Sequence, residues 1–192
     1  FIVGISLDGP REIHDRYRRD RQGNGSFDAV LRGLQLLQQH GVNYNVMASV
    51  ARETARQPLA VYHFFKEQGV EFIQFVPLIE RLLDAGETQL RLNLAGPAAL
   101  DREELNTTVT PWTVMPEEYG DFLIAIYEEW VRRDVGATFV MNFEWALNAW
   151  LGEGSPVCIF SRQCGRAVAL EHDGSLFACD HYVYPEYRLG NV

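Results

Sequence analysis

Three cysteines stand among 192 residues, and all of them fall between positions 158 and 179. They read Cys158-Ile-Phe-Ser-Arg-Gln-Cys164, then Cys179-Asp180-His181-Tyr182. Thiolates gathered this closely suit a soft metal centre, iron–sulfur or zinc. A disulfide framework is a poor explanation, because three cysteines cannot all pair with one another. A reducing, cytoplasmic compartment fits better. Cysteine as a small core residue remains the plain alternative. Neither zinc nor a cubane cluster is usually complete with three thiolates, so a fourth ligand is expected from His172, His181 or beyond Val192. Asp180 follows the last cysteine directly. Successive strand residues point to opposite faces. Cys179 could therefore face a cluster while Asp180 faces a cavity and takes a proton from a hydroxyl or thiol. A solvated surface aspartate is the ordinary reading of the same residue.

A second set of candidates sits where strands end. Ligands collect at the carboxyl ends of parallel strands in α/β folds. The first apparent strand ends at Ser6-Leu7-Asp8-Gly9, the second near Ser49–Arg52, and the third at Pro77-Leu78-Ile79-Glu80. Ser6 and Asp8 suit hydrogen bonds to a sugar hydroxyl, and Arg18 suits bidentate capture of a carboxylate. Singly, each also reads as turn chemistry or a solvated charge. Together, at one rim, they describe a pocket.

The elements that must position these residues follow from periodicity. Phe1–Ser6 is an apolar run that reads as a buried strand. A polar stretch from Arg11 to Gly25 follows the Asp8-Gly9-Pro10 turn. Ser26 reads as the N-cap of a helix that buries Phe27, Val30, Leu31, Leu34 and Leu37 and stops at Gly41. Val42–Val50 has a strand period. Pro58 opens a helix carrying Leu59, Tyr62 and Phe65, and Glu71–Val76 is a third strand. This alternation means a parallel sheet, with a TIM-like or partial barrel and a doubly wound sheet both open. Glu80–Thr113 is long and irregular. Pro116 begins a strongly amphipathic helix through Trp130, and Asn142–Leu151 reads as a shorter one. Ala167–Ala178 alternates around Asp173-Gly174, a hairpin signal. The four tryptophans read as core, and His40 and His63 as surface or half-buried residues.

Composition narrows the partners. A net charge of −9 and a pI near 5.0 argue against nucleic acid. No apolar run of about 18 residues suggests a membrane span, and no signal peptide is visible. The chain opens at Phe1 inside an apparent strand and closes at Arg188–Val192, the apparent start of another. It reads as part of a longer protein.

The string Ile5-Ser-Leu-Asp-Gly-Pro-Arg-Glu-Ile-His14-Asp-Arg-Tyr-Arg18, then Gly23-Asn-Gly-Ser-Phe27, resembles the mid-barrel region of radical S-adenosylmethionine enzymes. Cys158 and Cys164, then Asp173-Gly-Ser-Leu-Phe-Ala-Cys179-Asp-His-Tyr-Val-Tyr-Pro-Glu-Tyr187-Arg-Leu-Gly-Asn191, resemble the opening of a SPASM domain. That second string is similar to the one in anaerobic sulfatase-maturating enzymes. The resemblance implies an α/β fold. Residues 1–154 would be the later strands of a partial (β/α)6 radical-SAM TIM-like barrel, and 155–192 the start of a SPASM auxiliary-cluster domain with a β-hairpin.

The resemblance also implies a chemistry: oxidation of a cysteine or serine of a sulfatase to Cα-formylglycine. In that chemistry a [4Fe–4S] cluster cleaves S-adenosylmethionine to a 5′-deoxyadenosyl radical, which removes a hydrogen atom from the substrate. Asp180 would be the base. Cys158, Cys164 and Cys179 would ligate an auxiliary cluster that accepts the surplus electron, and Ser6, Arg18 and Ile79 would contact S-adenosylmethionine. The implied partners are a sulfatase polypeptide and an electron donor such as flavodoxin or ferredoxin. The family's Cys-x3-Cys-x2-Cys motif does not occur in these residues, so the chain by itself is expected to be inactive. Two alternatives stand beside this reading. One is a SPASM enzyme that forms thioether or carbon–carbon crosslinks in a peptide. The other is a zinc-stabilised binding module.

Overall fold

Alternation of apolar and polar residues builds a parallel sheet. The structure, a computed structural model, describes residues 2–80, 109–163, 167–180, 182–183 and 187–192. The expected features in 81–108, with Cys164 and His181, lie outside the described residues. Four strands, β1 (Val3–Ser6), β2 (Tyr44–Val50), β3 (Phe72–Pro77) and β4 (Phe139–Val140), pair in parallel in the order β1-β2-β3-β4. A doubly wound sheet reverses its strand order at a switch point. Here the order advances without reversal, as in the wall of a barrel. The register puts Ile5, Val46, Ile73 and Val140 in one row across all four strands. Val46, Ala48, Val50, Ile73, Phe75 and Val140 are fully or almost fully buried. The opposite face carries Ser6, Asn45, Ser49 and Gln74, because neighbouring residues in a strand point to opposite sides. β1 differs from its expected burial. Its residues are mostly exposed, since β2 is its only described partner.

The connecting helices cover the apolar face. α1 (Arg11–Tyr17) and α2 (Phe27–Gln39) follow β1, and α3 (Arg52–Ala55) and α4 (Pro58–Glu67) follow β2. α5 (Pro116–Arg133) precedes β4, and α6 (Met141–Leu151) follows it. Leu34 of α2, Val61, Tyr62 and Phe65 of α4, and Phe122, Ile126 and Trp130 of α5 form the core with the sheet. α1 lies in the stretch whose charges mask any periodicity, with Ile13 and His14 as its buried residues. Ser26 does not cap α2 with its side chain. Asp15 does so instead, its Oδ1 accepting the Phe27 N–H at 2.8 Å. Gly25 leaves room for that carboxylate, since a Cβ there would collide with it. Among the tryptophans Trp130 is core, whereas Trp112 and Trp150 are exposed.

Polar groups secure the packing. Asp134, just past α5, accepts the Tyr62 hydroxyl at 2.7 Å and the Lys66 ammonium at 2.8 Å. Burial opposes charge on Asp134, but these bonds outweigh it and hold its carboxyl below the usual range. Burial and the same carboxylate raise the Tyr62 hydroxyl. β4 ends after two residues, before it can pair with Phe75. The Asn142 side chain continues the ladder: its Oδ1 accepts the Phe75 N–H at 2.9 Å and its Nδ2 donates to the Phe75 C=O at 3.0 Å. The Tyr119 hydroxyl donates to the same carbonyl at 2.9 Å, and burial pushes its pKa up to about 12.

The chain divides into two units, 1–80 with 111–147 and 81–110 with 148–192. In the second, β5 (Ala169–Leu170), β6 (Ser175–Phe177) and β7 (Arg188–Asn191) form an antiparallel sheet in that order. The expected turn lies between β5 and β6. Asp173 accepts the Ser175 N–H at 2.9 Å and its hydroxyl at 3.0 Å. Gly174 has φ +84°, and a Cβ there would meet the Val192 carbonyl at 2.8 Å. Among the described residues no helix is long and apolar enough to cross a membrane.

Asn142→Leu tests the side-chain continuation of β3. It strands the buried Phe75 N–H, while the Tyr119 hydroxyl still serves the Phe75 carbonyl, so equilibrium denaturation should show a loss of about 1–3 kcal/mol. A loss below about 0.5 kcal/mol would mean that the Asn142 amide does not sustain the strand.

Candidate functional site

The ends of β1 and β2 converge on a buried carboxylate. Asp8 is 4% exposed, just past β1. Its Oδ2 accepts Arg18 Nε at 2.5 Å, and its Oδ1 accepts Arg18 Nη2 at 3.0 Å and the Ser49 N–H at 2.8 Å. Arg18 Nη2 also donates to Ser49 Oγ at 3.1 Å. The guanidinium does grip a carboxylate in a fork, but that carboxylate is Asp8 of the chain itself. Asp8 is therefore committed to Arg18 and Ser49 rather than offered to a sugar hydroxyl. Ser6, at the end of β1, is exposed. Ile79, just past β3, is 68% exposed. The exit from β3 is pinned, since Glu80 N–H donates to Thr113 Oγ1 at 3.0 Å and Val114 N–H to the Leu78 carbonyl at 3.1 Å.

His14 stands behind this pair and was missed as a positional element by sequence reasoning. It is fully buried. Its Nδ1 accepts the Asp8 N–H at 3.3 Å, so that nitrogen carries no proton. Nε2 then donates to Ser26 Oγ at 3.0 Å, and the Ser26 hydroxyl donates to the Arg18 carbonyl at 3.0 Å. Burial lowers the His14 pKa, the Arg18 charge adds to this, and the Asp8 and Asp15 carboxylates oppose it.

The second unit holds the cysteines. Cys158 opens a short 3-10 turn, Cys158–Phe160, and is exposed, while Cys179 follows β6 and is half-buried. Both line one cavity of about 670 Å³, together with Arg162 and Asp180. The Cys179 thiol donates to Asp180 Oδ1 at 3.3 Å, so the two side chains face one cavity rather than opposite sides of a strand, because β6 ends at Phe177 and its alternation does not reach them. The hairpin thus returns Cys179 to the cavity wall that Cys158 also lines. His172, a possible fourth ligand on sequence grounds, lies at the hairpin turn with a 94% exposed side chain, and it does not line the cavity. Two thiols open on this space, and among the described residues no group of three or more His, Cys, Asp or Glu side chains is gathered to hold a metal ion.

Comparison with known proteins follows the same lines. No protein-family model matches the chain. The serine-type anaerobic sulfatase-maturating enzyme of Bacteroides thetaiotaomicron is 41% identical over 192 residues, covering all of this chain and 45% of the relative. The cysteine-type enzyme of Clostridium novyi is 31% identical over 194 residues, covering all of the chain and 46% of the relative. Along its whole length this chain is homologous to the anaerobic sulfatase-maturating enzymes. Among solved structures, native anSMEcpe with bound AdoMet superposes with a TM-score of 0.77 at 29% identity, covering all of this chain and 47% of that one. The match extends the parallel α/β sheet to the radical S-adenosylmethionine fold. The chain spans about half the length of the curated relatives it matches.

The buried His14 yields a pH test. An unfolded histidine titrates near 6.5, and the folded one titrates lower. Between the two values the unfolded chain binds the extra proton, so stability rises with pH through that window and is lost as acid is added. His14→Gln should lower stability at pH 7.5 yet flatten the fall in denaturant midpoints as the pH drops below about 6.5. An unchanged slope would show that His14 does not titrate in folding.

Proposed function

We propose that this chain takes part in oxidising a cysteine or serine of a sulfatase to Cα-formylglycine, as a portion of a radical S-adenosylmethionine maturase of the cytoplasm. Residues 1–154 would be the barrel portion and 155–192 the start of the SPASM domain. Homology to maturases of both the serine and the cysteine type supports this reading over peptide crosslinking or a zinc module. A related structure contains a peptide beside AdoMet, which supports a polypeptide substrate. Flavodoxin or ferredoxin would be the electron donor.

Cys158, Cys164 and Cys179 would hold an auxiliary [4Fe–4S] cluster, and Ser6, Arg18 and Ile79 would hold S-adenosylmethionine. When bound, these groups supply hydrogen-atom abstraction and electron acceptance. The chain's own work is different. Arg18 orients the ligand through its guanidinium, Ser6 offers a hydroxyl at the strand end, and Ile79 offers an apolar surface. Asp180 takes the proton from the substrate thiol or hydroxyl. Loss of that proton makes the carbon-centred species strongly reducing, so base and electron acceptor belong side by side.

The observation that carries this reading is the shared cavity, which Asp180 lines together with Cys158 and Cys179; the Cys179–Asp180 hydrogen bond belongs to the free thiol and would be lost once the sulfur binds metal. Asp180→Asn in the intact, anaerobically reconstituted protein keeps shape and removes the base. Formylglycine formation, followed by mass spectrometry of a sulfatase peptide, should fall by about 10²-fold or more with iron content unchanged. A wild-type rate would remove Asp180 from its role.

A further inference from the structure

Arg18 is fixed at both ends, and the agent at the guanidinium end is Asp8. Along the backbone, the Arg18 N–H donates to the His14 carbonyl at 3.0 Å, and its own carbonyl accepts the Ser26 N–H at 3.1 Å. At the tip, Nε and Nη2 are both given to Asp8, and Nη2 also reaches Ser49. Among the described residues, Nη1 is the guanidinium nitrogen with no hydrogen-bond partner. Asp8 cannot swing away, because the Ser49 N–H of β2 holds Oδ1 and burial closes around it.

From this geometry we infer that Asp8 is a positioning residue for S-adenosylmethionine, acting through Arg18. This rests on the reading of Arg18 as a ligand contact. Two physical effects follow. The first is orientation: a long, rotamer-rich side chain is held with one nitrogen presented, so the ligand does not bear the entropy of ordering it. The second is charge. S-adenosylmethionine carries a sulfonium and an ammonium against one carboxylate, so it is a net cation. A bare guanidinium would attract the carboxylate but repel the rest. With Asp8 neutralising it at 2.5–3.0 Å, Arg18 acts as a directional donor with little net field. Both Asp8 oxygens are engaged and the residue is 4% exposed, so its effect on the ligand is exerted through Arg18.

The test is a double-mutant cycle on the intact, anaerobically reconstituted protein, with S-adenosylmethionine affinity measured by equilibrium dialysis. Arg18→Gln and Asp8→Asn should each weaken binding about tenfold or more. The double variant should bind no more weakly than the poorer single one, because both remove the same interaction. A purely structural loss at Asp8 would instead add to the Arg18 loss, which would overturn the inference. Wild-type affinity in Asp8→Asn with weakened Arg18→Gln would also overturn it while leaving Arg18 as a contact. Wild-type affinity in Arg18→Gln would sink the reading of Arg18 itself. Should Asp8→Asn or Arg18→Gln fail to fold, Asp8→Glu keeps the charge that pairs with Arg18 but displaces the carboxylate that aims it; the folded variant should bind S-adenosylmethionine several-fold more weakly, and wild-type affinity would overturn the inference.

Discussion

A carboxylate taken out of water must be paired, or its burial is heavily unfavourable. At the end of β1 that obligation organises everything around it. Asp8 is satisfied only if Arg18 returns from the loop after α1 and if Ser49 arrives at the end of β2. The first is met by the α1 turn, and the second depends on the sheet register, which sets β1 against β2 from Val3↔Tyr44 to Ser6↔Met47. That register is in turn held by the apolar row Ile5, Val46, Ile73 and Val140. The polar geometry of the strand ends is therefore inherited from packing on the other side of the same strands. By contrast the Arg11–Asp28 pair, with both side chains about half exposed, organises little.

The same logic recurs where elements end. A strand that stops leaves its neighbour's backbone groups without partners, and something must take them up. Beyond β4 the substitute is the Asn142 side chain, aided by Tyr119. At the start of α2 it is Asp15. At the end of α5 a buried carboxylate is answered by a phenol and an ammonium from α4. Each of these side chains is distant in sequence from the group it satisfies.

That distance explains what could be read from the residues alone. The strands β2 and β3, the helices α2, α4 and α5 and the turn at Asp173-Gly174 are written in local periodicity, and they stand where that periodicity puts them. β4 has two residues, too few to show a period, and α1 is hidden among the charges of Arg11–Gly25. Ser26 was a reasonable cap by type, but its hydroxyl was claimed by Arg18 and His14, and Asp15 reached the helix first. Asp8 and Arg18 were legible as residues of interest at a strand end. Their pairing was not, because only the fold brings position 18 back to position 8. In the same way, Cys179 and Asp180 announced themselves, while the cavity they share with Cys158 is a product of the hairpin.

The second unit carries a different balance. Its described strands have two to four residues each, and sheets this short are marginal in water without a partner. Its described strands bury little: Ser175 and Phe177 of β6 are buried, while all of β7 is exposed. Small units of this kind gain stability from a covalent or metal staple when a core is too small to supply it. The three cysteines flank the hairpin on both sides, at 158 and 164 before it and at 179 after it. A cluster held by those sulfurs would close the chain from the 3-10 turn to the end of β6, so binding free energy would become folding free energy. Under the proposed function the same sulfurs then have two duties. They would staple the hairpin, and in doing so they would fix Asp180 beside the electron acceptor that its proposed chemistry requires.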